Sequence, residues 1–115
     1  MEYLLLLHAD PQGWESLTET QRAQRMGEYG AFTEALRKAE VLRGSNRLRP
    51  AETATTVRLS EGKTEVLNGP FIETREQLGG YYLIDVADLD AALGWAARCP
   101  AASHGSIEVR PVWAM

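Results

Sequence analysis

His8 and Asp10 are the residues best placed for proton chemistry in this chain of 115 residues. They follow the apolar stretch Tyr3-Leu4-Leu5-Leu6-Leu7 and are two positions apart. Residues i and i+2 of a strand point the same way, roughly 6 to 7 Å apart, so a bend after His8 would let Asp10 orient the imidazole. An oriented imidazole titrating near neutral pH is a general base. The competing reading is structural. Asp10-Pro11-Gln12-Gly13 has the residue types of a type I turn, which would occupy Asp10, and a histidine ending a strand is commonly a hydrogen-bonded rim residue.

The remaining polar candidates fit ligand binding better than catalysis. Tyr29, Tyr81 and Tyr82 each join an apolar body to a polar tip, which suits a pocket as well as a core. Glu108 and Arg110 alternate with Ile107 and Val109 and share a face, as an ion pair, a grip for a polar ligand group, or solvated edge charges. Asn68 and Glu73 flank a turn, where Glu73 could line a cavity mouth. His104 precedes Gly105 and reads as a solvated turn residue. A metal would require His8, His104 and Asp10 or Glu108 to converge, without helical histidine spacing to bring them together, so no metal site is expected. With no glycine-rich phosphate loop, serine elbow or paired carboxylates, no cofactor is expected either.

Positioning these groups requires a sheet covered on both sides. Tyr3 to His8 and Tyr81 to Val86 are apolar on both faces. Thr18 and Gln21 form a capping-box pattern, and Met26, Tyr29, Phe32, Leu36 and Ala39 recur at helical spacing, predicting a helix over 19–39. Val41 to Leu48 is polar enough for an edge strand and Pro50 closes it. Thr53 to Leu59 and Lys63 to Leu67 flank Ser60-Glu61-Gly62 as a hairpin insertion. Asn68-Gly69-Pro70 is turn chemistry with Gly69 free to take a positive φ, and Gly79-Gly80 permits a bulge or a close backbone approach. Asp88 caps a helix whose apolar stripe is Leu89, Ala92, Leu93, Ala96 and Cys99, bounded by Pro100, and Ile107 to Val112 closes the sheet.

That order makes two βαβ halves, an α+β ferredoxin-like sandwich in one domain spanning 1–115, with the first and third main strands central. Two helices cover only one face of such a sheet. The other is expected to be covered by a second copy, sheets packed face to face in a homodimer. The alternative is a monomer in which the hairpin and Trp113 fold back over that face.

A net charge of −4 and a pI near 5.2 oppose binding to a phosphate backbone, and Arg43, Arg47 and Arg49 are the only notable basic cluster, so no nucleic-acid partner is expected. The apolar run at 3–7 is too short for a membrane span and lacks signal-peptide flanks, which makes a cytoplasmic location the default and a membrane partner unexpected. Cys99 is the single cysteine and reads as a buried structural thiol, beyond any disulfide or cysteine-rich zinc site.

Through Asn68-Gly69-Pro70-Phe71, Glu73-Thr74, Glu76-Gln77-Leu78-Gly79-Gly80-Tyr81-Tyr82 and Gly105-Ser106-Ile107-Glu108-Val109-Arg110-Pro111, the chain resembles the YCII-related family, specifically its DGPF-domain branch. The resemblance implies a dimeric α+β barrel of ferredoxin-like subunits. It also implies small-molecule chemistry through a His and Asp pair with the His on the first helix, and for the DGPF branch a link to extracytoplasmic-function sigma factors. Here Tyr29 occupies the helix position of that His, and Asn68 replaces the aspartate that names the branch. Asparagine keeps the hydrogen bonds of the turn and loses its proton chemistry. These departures favour a small dimeric ligand-binding or accessory, regulatory protein. The alternative is a cofactor-independent enzyme acting on a small organic molecule by acid–base chemistry, with His8 and Asp10 or a tyrosine as its groups.

Overall fold

Thr18 starts the longest helix. Its hydroxyl accepts from the Gln21 backbone N–H (3.1 Å) while the Gln21 side chain accepts from the Thr18 N–H (2.9 Å), a reciprocal capping box. The computed structural model describes all 115 residues. In chain order these form β1 (Glu2–Ala9), α1 (Pro11–Glu15), α2 (Glu19–Lys38), β2 (Leu42–Arg47), β3 (Thr55–Ser60), β4 (Lys63–Asn68), β5 (Gln77–Asp85), α3 (Leu89–Arg98) and β6 (Ser106–Pro111). Short 3₁₀ turns lie at Ala51–Thr53 and Pro100–Ser103. No helix is long and apolar enough to cross a membrane.

The main sheet is antiparallel with order β2-β5-β1-β6, so the two strands that are apolar on both faces are central, as their pattern predicts. Alternate residues sort onto two faces. Tyr3, Leu5 and Leu7 of β1 and Tyr82 and Ile84 of β5 are buried beneath Phe32 and Leu36 of α2 and Ala92 and Ala96 of α3. The opposite face carries Leu4, Leu6, His8, Tyr81 and Leu83, with the Glu108–Arg110 ion pair beside Leu4 and Leu6 on β6.

The α3 stripe needs a correction. Asp88 caps the helix as expected, accepting from the Ala91 N–H at 2.9 Å, but Leu89 and Leu93 stay 47% and 46% exposed. The small residues Ala92, Ala96 and Cys99 form the contact instead, bringing the helix backbone close to the sheet, and Trp95 seals its side by packing edge-on to Phe32. Asp10-Pro11-Gln12-Gly13 also goes beyond a turn. Asp10 becomes the N-cap of α1, with its side chain accepting from the Gln12 N–H.

The hairpin insertion is a separate two-stranded arm, turned at Glu61 (φ 51°) and Gly62 (φ 79°), the two positive values that a type I′ loop requires. One of its faces carries Val57, Leu59 and Val66, between 62% and 73% exposed; on the other, Arg58 stands opposite Glu65. Gly69, at φ 104°, turns the chain at the arm's base, where its N–H donates to the Ala54 carbonyl at 2.7 Å. Neither the arm nor Trp113, which is 89% exposed, covers the second sheet face, so the fold-back alternative does not describe this subunit. The projecting arm raises the radius of gyration to 16.0 Å, against about 13 Å for a compact chain of this length.

Candidate functional site

The sheet loses side-chain volume where β5 begins. Pairing between β1 and β5 slips after Leu7, leaving Gly79 as an extra residue, so Gly80 faces the helix layer between Leu7 and Arg47. A Cβ at Gly80 would lie 2.9 Å from the Asn46 carbonyl oxygen, closer than real side chains approach, so glycine is what lets β2 pair here. Above this bare patch opens a cleft of about 600 Å³, bounded by α1, α2, the end of the sheet and the segment leading into β6.

Helical spacing supplies one wall. Arg25, Tyr29 and Thr33 are four residues apart on α2 and line the cleft together, whereas Phe32 and Leu36 point into the core. The Thr33 hydroxyl donates to the Tyr29 carbonyl at 2.8 Å, so its contact with Tyr82 at 2.9 Å is one in which the Tyr82 hydroxyl donates. Trp14 of α1 forms another wall. Arg22 fastens α1 to α2 by donating to the Trp14 and Glu15 carbonyls at 3.1 and 2.9 Å, and Arg47 stacks 4.8 Å from the indole centroid.

His104 completes the site. The 3₁₀ turn Pro100–Ser103 delivers it half-buried against Tyr29, with Nε2 3.5 Å from the hydroxyl and the rings edge to face at 6.5 Å. Ser103 Oγ lies 3.3 Å from Nδ1. Gly105 has no room for a Cβ because the His8 carbonyl and Ala9 stand there, and this close approach holds His104 against the end of β1. His104 is therefore not the solvated turn residue its sequence context suggests.

Burial sets the protonation states. It pushes the Tyr29 hydroxyl up to about 12, helped by Cys99 and Tyr82 and opposed by the charges of Arg25 and Arg47. Burial also lowers His104, as does Arg25, with Glu28 opposing. Burial likewise raises Tyr82. At neutral pH the cleft therefore presents a protonated phenol beside an uncharged imidazole, a donor and an acceptor able to exchange a proton with a bound molecule.

The residues singled out in the sequence divide into two groups. Tyr29 and Tyr82 line the cleft, whereas the Tyr81 side chain lies on the opposite sheet face, where its hydroxyl accepts from the Asn46 amide at 2.8 Å. His8 and Asp10 also border it, but the His8 side chain lies on the opposite sheet face, and the Asp10 oxygens accept from the Gln12 N–H at 3.0 Å and from Arg75 Nε at 3.2 Å, which hold the carboxyl below its ordinary range; the two do not hydrogen-bond. Asn68 ends β4 at the base of the arm and Glu73 is exposed in the loop after it; neither lines the cleft. Glu108 and Arg110 pair with each other on the opposite sheet face. His104, Arg25, Arg47 and Trp14 are the lining residues that pattern reading missed. Only the Gly105 next to His104 hinted at a close approach.

A structure of similar fold is the 5-chloro-2-hydroxyhydroquinone dehydrochlorinase TftG from Burkholderia phenoliruptrix AC1100, solved in complex with 2,5-dihydroxybenzoquinone. It matches with a TM-score of 0.60 at 12% identity, over 98% of this chain and 94% of that one. The uncharacterized protein R00369 of Rhizobium meliloti (strain 1021) is 40% identical over 114 residues, 97% of this chain and 92% of its own length. The YCII-related domain matches residues 1–115 from end to end, and the chain belongs to the YCII-related family.

Proposed function

We propose that the protein binds a small organic molecule in the cleft between α2 and the sheet, and works as a homodimer. The observation that carries this reading is the convergence of Tyr29, His104 and Trp14 from separate elements on a space of about 600 Å³, within the usual range of ligand sites. That TftG, a protein of similar fold, is solved with 2,5-dihydroxybenzoquinone, a flat ring bearing four oxygens, supports a ligand of that size. The second sheet face, where Leu4, Leu6 and Leu83 stay only half-buried, and the exposed apolar side of the arm support the dimer. Isolated two-stranded arms are marginal in water and gain stability from a surface to pack on. A regulatory link to an extracytoplasmic-function sigma factor rests on the DGPF resemblance alone.

The contact between Tyr29 and His104 favours a second reading, a cofactor-independent enzyme in which these two groups exchange the proton and His8 and Asp10 shape the rim. Titrating 2,5-dihydroxybenzoquinone into labelled protein tests the site. Saturable NMR shifts at Tyr29, Thr33 and His104 are expected, whereas shifts confined to Leu4, Leu6 and Leu83 would place binding on the wrong face.

A further inference from the structure

We propose that the cleft selects an organic anion, a small flat ring bearing an ionised phenol or enol oxygen, which Arg25 and Arg47 hold while the ring lies against Trp14 and Tyr29. This rests on the reading of the cleft as a ligand site and adds the charge and shape of what enters.

The argument begins with which cations are committed elsewhere. Arg37, Arg43, Arg75 and Arg110 pair with carboxylates, and Arg22 donates to two backbone carbonyls. Arg25 and Arg47 make none of these bonds, although the protein carries a net charge of −4, and both border the same cleft. Of the nearby carboxylates, Asp10 is taken by Arg75, Glu15 is exposed at the mouth, and Glu28, which opposes Arg25 at His104, does not line the cleft.

Geometry makes Arg47 a directed donor. The guanidinium carbon lies 4.8 Å over the Trp14 indole centroid, a cation–π contact that uses none of its N–H donors and leaves them for an oxyanion. The charges of Arg25 and Arg47 both reach the Tyr29 hydroxyl, where they oppose the burial that keeps the phenol protonated. An oxyanion placed there would feel the same two cations. Trp14, Met26 and Tyr29 supply apolar and aromatic walls that suit a flat ring, and the Tyr29 hydroxyl and His104 imidazole remain for a second ring oxygen.

The test compares three probes on the unaltered protein by calorimetry at low and moderate salt: 2,5-dihydroxybenzoquinone, which is ionised at neutral pH, neutral hydroquinone of similar size, and inorganic phosphate. The dianion should bind about tenfold or more tightly than hydroquinone and weaken with salt, since hydrogen bonds to charged groups are worth more than neutral ones. Arg47→Gln and Arg25→Gln should each lower its affinity by about tenfold, with Arg47→Lys intermediate, in proteins whose melting confirms folding. Equal affinity for hydroquinone would overturn the anion assignment and leave the ligand cleft standing. Phosphate binding as tightly as the quinone would overturn the flat-ring assignment. No binding by either ring would overturn the cleft itself as a ligand site.

Discussion

The Tyr29 hydroxyl stands 3.5 Å from Nε2 of His104, across a cleft and 75 residues away in the chain. That separation is at the long limit of a hydrogen bond, so the two groups face each other without being locked together. A polar atom of a ligand could take the hydrogen bond of either. An imidazole thus reaches the α2 wall from the far end of the chain.

Placing His104 beside Arg25 in a half-buried wall fixes the sign of one pH effect. Burial and Arg25 hold its imidazole below 6.5, while Glu28 opposes; Tyr29 and Ser103 also face the ring. Because the folded value is depressed, this contribution to stability is complete above 6.5 and is lost as pH falls through the folded value. An NMR titration should give a His104 midpoint below 6.5, and His104→Gln should flatten the loss of stability from about pH 7 to 5. A midpoint at or above the ordinary value would contradict the burial.

Gly80 should not tolerate a side chain. In Gly80→Ala the methyl would stand 2.9 Å from the Asn46 carbonyl, forcing β2 outward at the edge of the cleft. Urea unfolding should show a loss of about 1–3 kcal/mol. Unchanged stability would mean that β2 is held less firmly than its pairing implies.

Core and cap should separate by magnitude. Ile84 is fully buried, so Ile84→Ala should cost about 2–5 kcal/mol. Thr18→Ala removes one half of the capping box and should cost about 1 kcal/mol. Equal losses in denaturant melts would argue against Ile84 as the centre of the core.

The proposed dimer makes a direct demand on the second sheet face. Sedimentation at micromolar concentration should show a homodimer, and Leu4→Asp combined with Leu83→Asp should shift it to monomer while far-ultraviolet dichroism is retained. A monomeric unaltered protein would refute this assembly.

What the sequence revealed and what it hid have physical causes. Apolar residues on both faces of Tyr3 to Leu7 and Tyr81 to Val86 have few solutions, so the central strands, the edge position of β2 and the capping box at Thr18 were all legible. Gly69 and Gly62 announced turns that only a positive φ can make. Ala92, Ala96 and Cys99 of the α3 stripe are buried as the spacing implies, but Leu89 and Leu93 are not, because close packing on the sheet selects the small residues and leaves no room for leucine in the contact. The cleft was hidden for a different reason. Tyr29 and Tyr82 could be chosen by type, but His104, Arg47 and Trp14 come together only through tertiary packing, and no local pattern marks a polar residue that a distant element will bury.

A crystal of the protein grown with 2,5-dihydroxybenzoquinone puts the binding cleft to its decisive trial. The ring is expected between Trp14 and Tyr29, with one oxygen toward Arg47 and another within hydrogen-bond reach of His104. Ring density on the face of Leu4 and Leu83, with Trp14, Tyr29 and His104 untouched, would contradict the functional reading.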